Sequence, residues 1–430
     1  MNPRLLVPFL AAGLGLPACH AAAPAGAPAP APVAAPDSLR IRTDIAYLAS
    51  DRLEGRRTGS PGNDSAAAYI ARRYRALGLA AMTPTSYLQP FVARPAASAH
   101  AGHPEELPSQ NVVAMLAGTD AALRGQYVVI GAHYDHLGRS TEGAQDPQAG
   151  DVIRNGADDN ASGTAAVLEL ARIFRAAPTR RSLLFVNFTG EEEGLLGSAY
   201  FVEHSPVALD SVDAMINFDM VGRLRNRRLI VYGVATGTEF PAMLDRANAG
   251  RVDIHGQGDG FGPSDQSSFY AKNIPVLHFF TDLHEDYHKA TDDADKINAA
   301  GEATVVDIAE QVIRDVADRP RRITFFRVPA KPTVAASSAG SDVYFGSIPD
   351  MAAGDVKGER VTGVTAGSPA DKGGLRAGDI VVEFGGMEVS DLETYSAALY
   401  AHKPGDVVKV VVLREGQRVT LSVTLGRRGG

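Results

Sequence analysis

Between residues 38 and 320, short unbroken apolar runs alternate with longer stretches of helical periodicity. Ser65–Leu79 (SAAAYIARRYRALGL) reads as an amphipathic helix stopped at Gly78, and Ala161–Phe174 (ASGTAAVLELARIF) as a helix with a small-residue entry. Tyr127–Ala132 (YVVIGA), Leu183–Thr189 (LLFVNFT), Ala214–Val221 (AMINFDMV), Leu229–Val234 (LIVYGV) and Pro275–Thr281 (PVLHFFT) read as strands. Continuously apolar strands must be buried on both faces. The pattern therefore predicts an α/β fold: a mostly parallel sheet with helices on both faces. In such sheets ligands bind beyond the carboxyl ends of the strands.

The pattern changes on either side of this region. Residues 1–19 carry one early cation (Arg4), a short apolar run and small residues, and read as an export signal peptide. Leu16-Pro17-Ala18-Cys19 resembles a bacterial lipobox. Two outcomes stay open, acylation of Cys19 or ordinary cleavage among Ala21 to Ala23. Residues 20–37, almost wholly Ala, Pro and Gly, cannot build a core and read as an extended spacer. A linker at 321–341, rich in Pro, Ala and Ser from Val328, separates a second unit at 342–427. That unit has short strands, turn signals at Gly385-Gly386 and Glu415-Gly416, and a helix near Asp391 to Ala401.

Length and composition narrow the function. A chain of 430 residues, 45% apolar, accommodates one large domain and one small one. A net charge of −8 without a basic block argues against a nucleic-acid partner. One cysteine excludes an intramolecular disulfide and any cysteine-built zinc site. No other stretch is apolar enough to span a bilayer, so the expected membrane contact is at most a lipid anchor. The expected location is the periplasm, the medium or the envelope surface.

Candidate chemistry gathers at the ends of the predicted elements. His133 closes YVVIGAH, Asp159 lies in GADDNASG before a helix, and Glu191 and Glu192 follow LLFVNFT. Asp219 ends AMINFDM, and His288 follows PVLHFFT within YHKATDD. Imidazole with carboxylate and no thiolate suits zinc, manganese or cobalt rather than calcium. Two histidines and three carboxylates exceed the needs of one tetrahedral ion and fit a carboxylate-bridged pair. Asp135, two residues after His133, could accept the imidazole's other N–H. Of two adjacent glutamates, one can bind metal while the other faces the bridging water.

GAHYDHLG, GADDNASG, GEEEGLLGS, NFDMVG and YHKATDD, in this order, resemble the bacterial di-zinc aminopeptidases of the co-catalytic zinc exopeptidase clan. The resemblance covers about residues 38–316 and includes LASDRLEGRRTGSPG near its start. It implies that His133 and Asp219 hold one zinc ion, Glu192 and His288 the other, and that Asp159 bridges both. It further implies a strained Asp159–Asn160 bond, with a cis form open, and Glu191 as general base. Asp135 would orient His133, and Asp292 would stand behind His288. The activity implied is removal of N-terminal residues from peptides. Carboxypeptidase, small-amide hydrolase and glutaminyl cyclase chemistry, or a non-catalytic envelope peptide-binding protein, are the alternatives.

Several residues remain outside that assignment. Asp158 reads as a neighbour of the metals, and His136 and His284 as pocket-wall or structural residues. Asp265, in FGPSDQSSF, falls on a segment that lines the pocket in relatives, but Gln266 replaces a frequent histidine. Tyr232, Phe240 and Phe261 could shape an apolar pocket or simply belong to the core. VTGVTAGSPADKGGLRAGDIVVEFGGMEV resembles bacterial PDZ modules of envelope proteases, with Tyr344-Phe345-Gly346-Ser347 at the carboxylate-binding loop. The resemblance implies capture of a peptide C-terminus; the alternative is a module that packs against the catalytic domain or restricts its mouth.

Overall fold

The computed structural model describes Met1 and residues 34–82, 86–95, 105–141, 143–262, 264–329, 343–349, 357–365, 367–390 and 392–427. The expected leader, Cys19 and most of the spacer and second linker lie outside the described residues. No helix among the described residues is long and apolar enough to cross a membrane.

The larger domain is built on one sheet whose described strands are β1 (Ala80–Ala81), β2 (Leu88–Ala93), β3 (Leu107–Leu116), β4 (Tyr127–His133), β5 (Ser182–Phe188), β6 (Val212–Phe218), β7 (Arg228–Tyr232), β8 (Asp253–Gln257) and β9 (Val276–Phe280). The order is β1-β3-β5-β4-β6-β9-β7-β8, with β2 on β3. The central run β5-β4-β6-β9 is parallel, as the apolar runs predict. Both flanks begin with antiparallel pairing, β3 on β5 and β7 on β9. β4, β5, β6 and β9 are buried at every position except Tyr127, which explains why they alternate so little in polarity. Helices Ser38–Leu48, Pro61–Ala76, Gly163–Ala176, Phe240–Asn248 and Ala299–Asp318 contribute to one large apolar cluster with Val128, Ile130, Ile216 and Leu277. On the other face Val129, Leu184, Met215 and Val276 pack with Phe201 and Phe269 of helices Leu196–Glu203 and Gln266–Ala271.

Register explains where a site can form. His133 of β4 pairs with Phe188 of β5, and Gly131 of β4 with Asn217 of β6, whose neighbour Phe218 pairs with Phe279 of β9. Four parallel strands thus end at one edge, and the residues after them leave the sheet side by side.

Helix Ala299–Asp318 carries an acid the fold does not satisfy. Glu302 is fully buried, and neither carboxyl oxygen has a hydrogen-bond partner among the described residues. Burial, reinforced by Asp158 and Asp44, holds its pKa well above the ordinary 4.5. The unfolded carboxyl ionises near that ordinary value while the folded one stays protonated. Stability is therefore lost progressively as pH rises above about 4.5. Glu302→Met should change the melting temperature little at pH 4 and raise it by at least about 2–4 °C at pH 8, or ~1 kcal/mol. A scanning-calorimetry series across pH reads this directly, and an equal shift at every pH would contradict it.

The smaller domain has its own core of Val343, Phe345, Val361, Val381, Phe384, Tyr395, Val410 and Val423. Its sheet joins Ser347–Pro349, Glu359–Val364, Ile380–Phe384, Val407–Arg414 and Gln417–Thr424, with helix Leu392–Tyr400 near its expected place. The hairpin at Glu415-Gly416 has φ of 50° and 79°, and Gly385-Gly386 has 60° and 85°. Two consecutive left-handed residues match the twist of paired strands, which explains both turn signals.

Candidate metal centre

The four strand ends deliver the expected residues to one place. His133 is the last residue of β4, and Asp219 directly follows β6. Glu191 and Glu192 come three and four residues after β5, and His288 lies in the loop after β9. Asp159 sits in the turn Ala157–Ser162 ahead of helix Gly163–Ala176, where the Asp159–Asn160 bond is cis. Gly156, at φ 57°, lets that turn approach, since a Cβ there would lie 2.1 Å from the Asp159 carbonyl oxygen and 2.4 Å from the His136 ring.

Two half-sites meet at Asp159. Nε2 of His133 lies 3.4 Å from Asp159 Oδ1, 3.4 Å from Asp219 Oδ2 and 4.0 Å from Glu191 Oε2. Nε2 of His288 lies 3.0 Å from Asp159 Oδ2 and 3.2 Å from Glu192 Oε2. The two Asp159 oxygens thus face different histidines. Both His133 Nε2 and Asp219 Oδ1 are buried without a hydrogen-bond partner among the described residues, as ligand atoms aimed at a cation would be. Ligand atoms of His133, Glu191 and Asp219 lie within 4.8 Å of one another, as do those of His136, Asp159 and Glu192. Imidazole and carboxylate in this mixture fit divalent zinc-class ions.

The electrostatics show what the cluster demands. Burial alone would depress the pKa of His133 and His288, yet both are raised well above the ordinary 6.5 by the surrounding carboxylates. The same negative field favours a cation between them. The adjacent glutamates diverge. Burial lifts Glu191 well above the carboxylate range, and Glu192, Asp219 and Asp265 add to the rise. Burial also acts upward on Glu192, but His288 and a hydrogen bond from His136 outweigh it and bring it to about 2. In the metal-free cluster Glu191 thus has the higher proton affinity of the two and Glu192 the lower.

The supporting residues depart in part from expectation. Asp135 lies beside Nδ1 of His133, with Oδ1 at 3.5 Å and its backbone oxygen at 3.3 Å. Its carboxylate also accepts the N–H groups of Glu191 and Glu192 at 3.4 Å and the Thr58 hydroxyl at 3.0 Å. Asp135 therefore places the glutamate turn as well as the imidazole. Asp292 does not face His288. Its Oδ2 accepts the N–H groups of Asp158 and Asp159 at 3.0 and 3.1 Å, which holds the Asp159 turn. Nδ1 of His288 faces the Gly143 carbonyl at 2.9 Å instead. Asp158 accepts from Gly222 N–H at 2.7 Å and pairs with His284 at 3.0 Å, away from both half-sites.

His136, expected in the pocket wall, lies with Nδ1 2.8 Å from Glu192 Oε1, leaving Oε2 toward His288. The repeated histidine in GAHYDH was the available sign. Tyr287 had no sign in the sequence. Its ring stacks on His288 with centroids 3.9 Å apart. Burial and four site carboxylates keep its phenol protonated. Asp265 is fully buried, and burial pushes its pKa to about 7. Gln266, in the place of the expected histidine, turns Oε1 toward Asn217 at 3.3 Å. Phe240 belongs to the main core, whereas Tyr232 joins a separate small cluster with Met220, Ile230 and Phe280. Phe261 is exposed and lies edge-on to Tyr270.

Comparison with known proteins gives a family and a fold. Residues 111–313 match the model of peptidase family M28, and residues 340–425 match the PDZ domain. Aminopeptidase YwaD of Bacillus subtilis is 38% identical over 96 residues, 22% of this chain and 18% of that protein. Leupeptin-inactivating enzyme 1 of Streptomyces exfoliatus is 30% identical over 290 residues, 66% of this chain and 56% of that protein. The matches to these two relatives thus span from under a fifth to just over half of their length. The aminopeptidase from Aneurinibacillus sp. strain AM-1 superposes with a TM-score of 0.51 at 19% identity, covering 68% of this chain and 97% of that one. The zinc aminopeptidase BSAP from Bacillus subtilis gives 0.52 at 17%, covering 66% and 95%. At such identities the likeness is one of fold.

Proposed function

We propose that this chain, which carries a peptidase family M28 domain at residues 111–313 followed by a PDZ domain at 340–425, is an exported zinc aminopeptidase with two metal ions. The observation that carries this reading is the junction at Asp159, whose two oxygens face His133 on one side and His288 on the other. His133 and Asp219 would hold one ion, Glu192 and His288 the second, and Asp159 both. Zinc ions held there would acidify a water and polarise a scissile carbonyl. Glu191, whose Oε2 lies 4.0 Å from His133 Nε2, would take the water's proton and pass it to the departing amine. The neutral Tyr287 phenol above His288 is a donor available to an oxyanion.

An amino rather than a carboxyl terminus is favoured by charge. Glu191 and the buried Asp265 are site carboxylates not assigned to an ion, and they are the groups that would suit the ammonium of a free amino terminus. The small cluster of Met220, Tyr232 and Phe280, with Leu283 and Tyr287 against it, lies next in sequence to Asp219 and His288. It would favour an apolar first residue. Export and a lipid anchor on Cys19 rest on the leader alone, and the PDZ domain would take a peptide C-terminus.

The test is a substrate panel on the zinc-loaded protein. Aminoacyl-p-nitroanilides with apolar side chains should be cleaved, and acetylating the amino group should lower kcat/KM by at least about 10²-fold, the cost of an unmatched charged contact. Cleavage restricted to N-blocked or C-terminally free substrates would overturn the assignment.

A further inference from the structure

His288 is held in an unusual way. Its backbone is left-handed, with φ 54°, a conformation that a non-glycine residue keeps only when its surroundings impose it. Three bonds do so, all from one short segment. The Gly143 carbonyl accepts from Nδ1 at 2.9 Å, Gln145 N–H donates to the His288 carbonyl at 2.9 Å, and Asp146 Oδ2 accepts the N–H of Ala290 at 2.8 Å.

That segment is in turn organised by one side chain. Arg154 is fully buried. Its Nε donates to Asp146 Oδ1 at 2.8 Å and its Nη2 to the Asp146 carbonyl at 3.1 Å. Its Nη1 faces the carbonyls of Ser140, Gly150 and Val152 at 3.1, 3.5 and 3.4 Å. A planar guanidinium with five fixed donors can gather several carbonyls into one arrangement, which a lysine cannot. A fully buried cation whose one carboxylate partner also caps the turn after His288 links the two halves of this structure.

We infer that Arg154 and Asp146 are positioning residues for one half of the metal centre, acting through Gly143 to fix the tautomer of His288. With Nδ1–H committed to the Gly143 carbonyl, Nε2 is the nitrogen left to face an ion beside Glu192 and Asp159. The inference rests on the two-metal reading for its expected consequence: the His288 half-site loses affinity and the His133 half-site does not. The segment makes no corresponding bond to His133, whose Nδ1 faces Asp135. Partners that orient a ligating imidazole are worth about 10–100-fold in metal affinity.

The test uses the full chain with Arg154→Lys and, separately, Asp146→Asn, which keeps size and removes the charge. Zinc is titrated against a chromophoric chelator, and ring-nitrogen NMR of the zinc-saturated protein reads whether Nδ1 of His288 keeps its proton on the Gly143 carbonyl. The expected result is that one of two zinc equivalents weakens about 10–100-fold, the other stays within threefold, and the Nδ1–H signal of His288 is lost or exchanges with its alternative. Unchanged affinity for both equivalents, or equal weakening of both with an intact tautomer, would overturn the inference. Should the lysine variant fail to fold, Asp146→Asn decides by the same readings. A wild-type protein holding a single equivalent would sink the two-metal reading instead. The inference then stands or falls on whether Asp146→Asn shifts the tautomer and weakens that one ion.

Discussion

Glu191→Gln is expected to lower kcat by about 10²–10⁴-fold, or roughly 2.7–5.5 kcal/mol, while zinc content and melting temperature stay at wild-type values. The amide matches the carboxylate in size but cannot accept and return a proton. Asp135 holds the turn through the backbone N–H groups of Glu191 and Glu192, which the substitution leaves alone. The pH profile separates this role from a structural one. Burial and three neighbouring carboxylates raise the Glu191 pKa above 4.5 in the metal-free cluster, and zinc ions bound there would draw it back down. Whatever value results, the base is protonated and idle below it, and the wild-type rate should climb as pH rises through it. The variant should lose that acid limb and keep only a low, flat residual. A variant that retains more than about a tenth of wild-type kcat would remove Glu191 from proton transfer.

How much of this was readable in the sequence depends on what fixes each residue. The strands that end at the site are buried at all positions but Tyr127, so their composition alone betrays them. The candidate ligands His133 and Asp219 stand at the ends of two runs, and Glu192 and His288 follow within the loops after two others. Strand Leu107–Leu116 was harder because Ser109, Gln110 and Asn111 interrupt its apolar run. Asn111 is buried, and its amide donates to Gln89 and to the Gly197 carbonyl at 3.0 and 2.9 Å, partners contributed by distant segments. The same limit applies around the metals. His133 and Asp159 lie in local motifs, whereas the bonds from Asp292 to the Asp159 turn and from Gly143 to His288 join residues 134 and 145 positions apart. The family resemblance implied that Asp292, four residues after His288, serves it. The chain between them turns instead, pinned at Ala290 by Asp146, and carries the carboxylate to the other loop.

The Asp159 junction supports the sharpest comparison among ligand variants. Loss of His133 removes one imidazole from one half-site, and loss of His288 does the same on the other side. Each should leave an ion in the remaining half, held by an imidazole and two carboxylates. Asp159→Asn differs because both oxygens serve, at 3.4 Å from His133 and 3.0 Å from His288. An amide keeps one weak acceptor and presents a donor to the other half-site. It also removes a negative charge from a cluster whose field lifts both histidines well above 6.5. Zinc content is accordingly expected to fall from about two ions per chain to below one. Turnover should fall by at least about 10³-fold, since the several kcal/mol that metal ions supply are lost together. Elemental analysis of His133→Ala, His288→Ala and Asp159→Asn after dialysis at one fixed free-zinc concentration tests the difference in kind. About one ion in each histidine variant and fewer in Asp159→Asn is the pattern required of a bridging carboxylate. Two ions retained in Asp159→Asn would mean that the half-sites are independent, and Asp159 would have to be reassigned to one of them alone.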